Sequence, residues 1–279
     1  MKHVWEKALA AWALVRPALR TSARRAYGIA LEWLYPSSIY CMSCGNLIDE
    51  SRPYALCDAC MGNFIWATGK NCGKCGTILN GAAAQGTEPA LCGACADGER
   101  AFEKGFACVA YSSGREVVRR FKYGGRAYYG EKIARILYDR LLPELPGVDL
   151  VLTVPMYRRK ERKRGYNQAD LAGRPLAQKR GLPYAGDVLL RTRRTEAMSR
   201  LGTEERNANV KGAFAVAPDK AGQVSGKRIL LVDDIFTTGS TVEACAEALL
   251  SAGAGQVYFA VFAIGSDDSS DSAAVRVCG

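Results

Sequence analysis

The chain has 279 residues, of which 48% are hydrophobic and 24% are charged, a composition that excludes a disordered or fibrous protein. This length suffices for one α/β domain of about 150 residues together with a smaller module. The formal charge of +10 suits phosphate-rich partners, either nucleotides or nucleic acid, although a solvated basic surface explains it equally well.

The first segment, residues 3–35, has apolar residues at helical spacing and predicts an amphipathic helix that ends at Pro36. Residues 2–15 loosely imitate a signal peptide, but basic residues follow where a cleavage site would stand. Such a helix either docks on its own protein, which we favour, or contacts a membrane surface. No run of about 18 apolar residues occurs, so no segment is expected to cross a membrane.

Residues 41–100 contain an internal repeat rich in cysteine. The segment 41–48, Cys-Met-Ser-Cys-Gly-Asn-Leu-Ile, is echoed by 72–79, Cys-Gly-Lys-Cys-Gly-Thr-Ile-Leu, and each copy closes with Leu and a second Cys-x-x-Cys pair. Eight of the 11 cysteines fall into these four pairs, a spacing typical of metal binding and not of disulfides. We therefore expect a protein of the reducing cytoplasm.

Two Cys-x-x-Cys pairs can place four thiolates tetrahedrally around one zinc ion, and four protein ligands leave no open position for chemistry. The repeat therefore predicts two structural zinc sites, although interleaved pairing or a single occupied site stays open. The predicted ligands are Cys41, Cys44, Cys57 and Cys60 in the first site, and Cys72, Cys75, Cys92 and Cys95 in the second.

From Gly105 onward, strand-like and helix-like stretches alternate, which predicts an α/β domain. The predicted strands are Phe106–Tyr111, Leu150–Val154, Ile229–Val232 and Val257–Ala263. The predicted helices are Glu116–Tyr123, Ala127–Leu142, Ala169–Arg180 and Thr241–Ala252. The last residues are rich in Ser and Asp and predict a mobile tail.

Within this domain, the stretch 227–241 is an apolar run that ends in two acids and is followed by a hydroxyl-rich loop. This order places Asp233 and Asp234 at the carboxyl end of a strand, where open α/β sheets bind their ligands. The loop Thr237–Thr241 would surround an anion with N–H groups and hydroxyls at a helix N-terminus. The paired carboxylates suit the two vicinal hydroxyls of a ribose.

Two other interpretations of the same residues compete with this one. A hydrophobic strand followed by two aspartates is also typical of a Walker B element, but the required G-x-x-x-x-G-K-[ST] loop does not precede it. An ordinary strand-to-helix turn capped by Ser or Thr would leave the paired acids unexplained.

The segment Val232–Thr241 resembles the motif by which type I phosphoribosyltransferases bind phosphoribosyl pyrophosphate (PRPP). The layout over about residues 36–263 resembles the ComF/GntX family, because segments 121–125, 164–168 and 206–209 follow in the family's order. The resemblance implies an α/β fold with a type I phosphoribosyltransferase-like parallel sheet flanked by helices, preceded by a small zinc-ribbon module and an N-terminal helix. It divides the chain into a helical extension (1–36), a double zinc ribbon (37–100), a phosphoribosyltransferase-like domain (101–265) and a flexible tail (266–279).

The resemblance also implies roles for individual residues, with magnesium accompanying PRPP. Asp233 and Asp234 would hold the ribose hydroxyls, and the 5-phosphate would be bound by Thr237, Thr238, Gly239, Ser240 and Thr241. A pyrophosphate loop would span 154–158 and a mobile flap 158–168. Its candidate residues are Pro155, Met156, Tyr157, Arg158, Lys163 and Arg164. Basic side chains suit a flap that closes over pyrophosphate, although a solvated charged loop is the alternative.

The function implied by the resemblance is transfer of a phosphoribosyl group to a nitrogen nucleophile, linked to DNA uptake or nucleotide metabolism. Thr195 is followed three residues later by Met198, where the family tends to have glutamine, so the acceptor is open. No catalytic residue is assigned. Two alternatives are a non-catalytic adaptor that binds PRPP or a nucleotide, and a protein that binds single-stranded DNA. Competence proteins are further candidate partners.

Overall fold

The computed structural model describes residues 39–79, 90–141, 143–195 and 203–265. The expected N-terminal helix and C-terminal tail lie outside these residues. Four parallel strands form the central sheet in the order β1-β6-β5-β2. Their bounds are Lys104–Ala110 for β1, Leu150–Thr153 for β2, Arg228–Phe236 for β5 and Gln256–Ile264 for β6.

The strands of the central sheet consist of apolar runs that are buried on both faces, as is typical of parallel sheets. In β5, the residues from Ile229 to Val232 are fully buried, and β6 is buried along most of its length. A second, small sheet pairs β3 (Leu189–Arg191) with β4 (Phe214–Val216) in antiparallel orientation.

Helices cover both faces of the central sheet. One face packs against α3 (Tyr111–Tyr123), α4 (Tyr129–Leu141) and α6 (Gln168–Arg180). The other face packs against α8 (Ser240–Ser251), α7 (Thr203–Val210) and the small sheet. Three shorter helices are α1 (Asp58–Asn63), α2 (Gly93–Ala96) and α5 (Arg158–Arg164). Together with the cysteine-rich module that precedes β1, this sheet confirms the expected fold class.

The first cysteine repeat, residues 41–60, docks on the α3 and α4 face. The Tyr129 hydroxyl donates to the Met42 carbonyl at 3.1 Å, and Arg120 Nη2 donates to the Cys44 carbonyl at 3.2 Å. Both donors sit on the two helices, so the first repeat is fixed to the same layer that covers the sheet.

The second repeat, residues 72–95, docks at the start of β1 and on α8. The Gly105 amide donates to the Lys74 carbonyl at 2.8 Å. Just after the repeat, the Ala101 amide donates to Glu243 Oε1 of α8 at 2.6 Å. Phe102 is fully buried and packs edge-on against Phe259 of β6 at 4.8 Å.

The structure departs from the predicted elements in several places. Helix α3 begins at Tyr111, which was predicted to end a strand, and not at Glu116, and α7 was not predicted. The strand expected to end at Val232 continues to Phe236, because the residues after the two acids keep pairing with β6 up to Ile264. The antiparallel pair of β3 and β4 was not predicted, because each strand has only three residues. No helix among the described residues is long and apolar enough to span a bilayer.

Candidate phosphate site and metal centres

The eight paired cysteines gather in two groups of four. In each group, the sulfur atoms lie within 4.8 Å of one another, and the groups are Cys41, Cys44, Cys57 and Cys60, and Cys72, Cys75, Cys92 and Cys95. These are the sets that the repeat predicts, not the interleaved pairing. Four thiols at this separation can converge on one ion.

The backbone of each repeat also suits a bound metal ion. Gly45 and Gly76, which follow the second cysteine of their pairs, have φ angles of +85° and +77°, a conformation that turns the chain tightly. The Cys75 amide lies 3.5 Å from Cys72 Sγ, and the Cys60 amide lies 3.5 Å from Cys57 Sγ. Such N–H···S contacts stabilise thiolates. The donor set therefore fits structural zinc with four sulfur ligands in each group.

The two groups differ in burial. All four cysteines of the second group are buried, whereas in the first group only Cys41 is buried and Cys44 is exposed. The second group belongs to the hydrophobic core beneath the sheet, in contact with the layer that contains Phe102 and Val242. The second cysteine group is thus more deeply buried in the hydrophobic core than the first.

The paired acids lie inside strand β5, before its end at Phe236. Because side chains alternate along a strand, the carboxylates have different neighbours. Asp234 forms an ion pair with Lys122 of α3, at 2.7 Å between Oδ2 and Nζ. The charge of Asp233 instead acts on Arg191 of β3 and on the buried thiol of Cys245 in α8.

Asp233 is held in a different electrostatic state from an ordinary surface aspartate. Burial, and after it the negative charge of Asp234, raises the pKa of Asp233 well above its usual value. Its Oδ1 accepts a hydrogen bond from the Asp234 amide at 2.8 Å. Asp233 therefore binds a proton more readily than an exposed carboxylate and can either donate to or accept from a ligand.

The predicted phosphate loop follows β5 directly. Thr237, Thr238 and Gly239 form the turn, and Ser240 and Thr241 begin α8. The amides of Thr237, Thr238 and Gly239 donate to no other atom of the described residues. Because they lie at the N-terminus of a twelve-residue helix, they are placed to bind an anion.

Replacing Gly239 with alanine should weaken anion binding at this loop. Gly239 has a φ angle of +84°, and an added Cβ would lie 2.7 Å from the ring of Phe236, which is stacked on Phe259 and cannot move aside easily. A left-handed alanine costs about 1–2 kcal/mol, so we expect at least a roughly tenfold loss of affinity for inorganic phosphate by calorimetry. Gly222→Ala, where nothing lies within 4 Å of the new Cβ, is the matched control. Equal affinity in both variants would contradict this role.

The predicted pyrophosphate loop connects β2 to α5. Pro155, Met156 and Tyr157 form this connection and are half-buried. Arg158 and Lys163 are exposed on α5, and the predicted flap is thus a short helix followed by a left-handed turn at Gly165.

Contacts between the end of α3 and the residues after α5 fix the position of this helix. The Tyr166 hydroxyl donates to the Phe121 carbonyl at 2.9 Å, and Arg164 lies over the ring of Tyr123 at 5.2 Å. Arg164 Nη1 also donates to Gln168 Oε1 at 2.5 Å. The predicted flap therefore lies beside the helix that carries Lys122.

Lys122, Lys160 and Arg191 come from separate parts of the chain and each interacts with at least one of the paired acids, and Arg164 acts in turn on Lys122 and Lys160. Because Lys122 is already paired with Asp234, we call the other three, Lys160, Arg164 and Arg191, the cation group. Desolvation lowers the pKa of Lys160, and the charges of Arg164, Lys122 and Arg191 lower it further. Burial also lowers the pKa of Arg191, whose buried Nε has no hydrogen-bond partner among the described residues. An anion bound among these side chains would relieve their mutual repulsion.

Lys122 and Arg191 were not among the residues predicted from the sequence. Lys122 lies in the segment 121–125, which carried the family resemblance but suggested no role by itself. Arg191 lies in the unpredicted strand β3. Lys122 reaches both acids, and Arg191 reaches Asp233, only through tertiary packing, which local sequence patterns do not report.

Two family models match this chain. A double zinc ribbon domain matches residues 30–100, and a phosphoribosyl transferase domain matches residues 178–277. Competence protein F of Haemophilus influenzae is 28% identical over 224 residues, covering 78% of this chain and 93% of that protein. DNA utilization protein YhgH of Salmonella typhi is 34% identical over 146 residues, covering 50% of this chain and 63% of that protein.

Among solved structures, the glutamine PRPP amidotransferase of B. subtilis is 21% identical, with a TM-score of 0.30 over 53% of this chain and 27% of that chain. A likeness at this score carries no argument about activity. The domain matches and the named relatives instead confirm the resemblance to the ComF family.

Proposed function

We propose that this ComF-like chain, which joins a double zinc ribbon to a phosphoribosyltransferase domain, binds PRPP at the carboxyl edge of its sheet. The observation that supports the proposal is the convergence of three groups at that edge. They are the loop Thr237–Thr241, the carboxyls of Asp233 and Asp234, and the cation group. Each group matches one part of the ligand: phosphate, ribose and pyrophosphate.

The charges of the site favour a ligand with several phosphates. PRPP carries a monophosphate at one end of the ribose and a pyrophosphate at the other, so a single cation would not neutralise it. Lys160 and Arg164 project from the predicted flap region, while Arg191 approaches from the opposite face of the sheet. Magnesium, which accompanies PRPP in the resemblance, would supply further positive charge to the pyrophosphate.

The reaction open to such a site is phosphoribosyl transfer. A nitrogen nucleophile would form a bond to C1 of the ribose while the bond from C1 to the pyrophosphate oxygen breaks, and pyrophosphate would leave with the electron pair. The chain's own residues would orient the sugar and stabilise the charge of the leaving group. Such catalysis needs no covalent nucleophile from the protein.

The names of two relatives, which refer to competence and to DNA utilization, support a DNA-linked context for this proposal. A second candidate, binding of single-stranded DNA, is favoured by an exposed aromatic side chain beside a basic helix. Tyr123 is 71% exposed, and Arg164 lies over its ring at 5.2 Å. Base stacking on an exposed aromatic ring is a common mode of single-strand binding.

Isothermal titration of the zinc-loaded chain with PRPP and magnesium should show saturable binding at one site per chain. Ribose 5-phosphate should bind more weakly than PRPP, because it lacks the pyrophosphate that the cation group would contact. Absence of heat with both ligands, in protein whose fold is verified by circular dichroism, would overturn the proposal.

Two further experiments distinguish the enzyme from the non-catalytic adaptor and from the DNA-binding protein. Release of pyrophosphate in a screen of nitrogen acceptors would show that the site is catalytic, and binding without release would favour the adaptor. Single-stranded DNA that binds with a steep salt dependence and is displaced by PRPP would favour the second candidate.

A further inference from the structure

The ion pair between Lys122 and Asp234 joins helix α3 to the central strand of the sheet. The two side chains are only 23% and 10% exposed, and their charged atoms are 2.7 Å apart. Burial works against the charge of Lys122, yet the carboxylates of Asp234 and Asp233 raise its pKa above the usual value. The lysine therefore carries its charge beside the paired acids of β5.

The position of Lys122 is fixed from two directions. It lies in the last turn of α3, and its neighbours on both sides contact the region of the predicted flap. The Phe121 carbonyl accepts from Tyr166 at 2.9 Å, and the Tyr123 ring lies beneath Arg164. A lysine held in this way can set the orientation of the carboxylate that it contacts.

The geometry of the pair leaves Asp234 able to bind a further group. The ammonium of Lys122 lies 2.7 Å from the buried oxygen Oδ2 of Asp234 and balances its charge. The second oxygen, Oδ1, accepts no hydrogen bond from the described residues. Lys122 thus fixes one oxygen of the carboxylate and leaves the other as an acceptor for a hydroxyl group.

We propose that Lys122 is a positioning residue for sugar recognition, which holds the Asp234 carboxylate in place to accept a hydrogen bond from a ribose hydroxyl. This inference rests on the proposed function. The two acids then have different roles. Asp234 would accept from the ribose while its ion pair with Lys122 of α3 holds it in place, whereas Asp233 would contact the ligand from its position near Arg191.

The test compares two ligands that differ by the sugar. In Lys122→Met, the affinity for ribose 5-phosphate should fall roughly 10-fold to 100-fold, because the carboxylate that accepts the hydroxyl is no longer held in place. The affinity for inorganic phosphate should not change, because phosphate contacts the loop Thr237–Thr241 and not Asp234. Lys122→Arg, which keeps the charge, should recover most of the preference for the sugar. Lys179→Met, an exposed lysine on α6, is the matched control.

The outcomes separate this inference from the proposed function. If the unmodified protein binds neither PRPP nor ribose 5-phosphate, both fail. If it binds PRPP but not ribose 5-phosphate, the ratio of the affinities for PRPP and inorganic phosphate decides in the same way. If it binds the sugar phosphate and Lys122→Met keeps the same ratio of affinities for the two ligands, the positioning role alone is overturned. Equal loss of both ligands also overturns it, because that pattern indicates a phosphate contact or a damaged fold. If Lys122→Met does not fold, Lys122→Gln decides by the same ratio.

Discussion

Simultaneous replacement of both acids, Asp233→Asn with Asp234→Asn, is expected to abolish measurable binding of PRPP while the fold survives. Asparagine keeps the size of aspartate but has no charge and replaces one acceptor oxygen with an NH2 donor, so the charge-assisted hydrogen bonds to the ribose hydroxyls are lost. Losing two charge-assisted hydrogen bonds of about 1.5–3 kcal/mol each corresponds to a loss of roughly 100-fold to 10,000-fold. Titration calorimetry measures the affinity, and circular dichroism verifies the fold.

The two single substitutions should differ in their effect on the stability of the fold. Burial raises the pKa of Asp233 and makes its charged form costly, so Asp233→Asn should lower the stability of the fold less than Asp234→Asn does. Asp234→Asn leaves the ammonium of Lys122 without its carboxylate and should lower the midpoint of thermal unfolding. Asp149→Asn, which breaks an exposed ion pair with Arg228, is the control for the substitution itself. Unchanged PRPP affinity in the double variant would remove both acids from the site.

The second cysteine group should matter far more for stability than the first. Cys92→Ser and Cys44→Ser each remove one of four sulfur ligands, so elemental analysis should find about two zinc ions in the unmodified chain and about one in each variant. Structural zinc contributes about 10–16 kcal/mol of apparent binding free energy in small zinc domains. Because Cys92 lies in the main core and Cys44 is exposed, Cys92→Ser should unfold at a much lower temperature.

The control for these variants is Cys108→Ser, which changes a buried thiol outside both groups. It should keep both ions, although burying a hydroxyl can lower stability. Zinc near zero in freshly purified, unmodified protein would refute the metal sites. Equal destabilisation by Cys92→Ser and Cys44→Ser would show that burial does not determine the contribution of each ion.

The metal centres could be predicted from the sequence because the cysteines of each pair are only three residues apart. Each Cys-x-x-Cys pair is closed by a turn of a few residues, and the repeat itself indicates which pairs belong together. The strands and helices of the sheet were also predictable within a few residues, since their apolar periodicity reflects burial. Residues 229–232, for instance, are an unbroken apolar run and form the buried centre of β5.

The partners of the acids could not be predicted in this way. The sequence places Asp233 and Asp234 side by side and suggests that they act together, but the alternation along β5 gives them different neighbours. Lys122 is more than one hundred residues from Asp234, and Arg191 belongs to a three-residue strand with no periodic signal. Only the packing of α3 and β3 against the sheet brings these charges together.

The two cysteine repeats pack directly against the domain that contains the sheet. The sequence suggests a boundary near residue 100, but the core of the second repeat continues into Phe102, Phe259 and Val242 without interruption. The first repeat is bonded to α3, which presents Lys122, and the segment after the second repeat is bonded to α8, which starts at the phosphate loop. Because the ribbons and the sheet share one core, we expect loss of either zinc ion to weaken a ligand bound at the phosphate loop, and a bound ligand to strengthen zinc binding by the same factor.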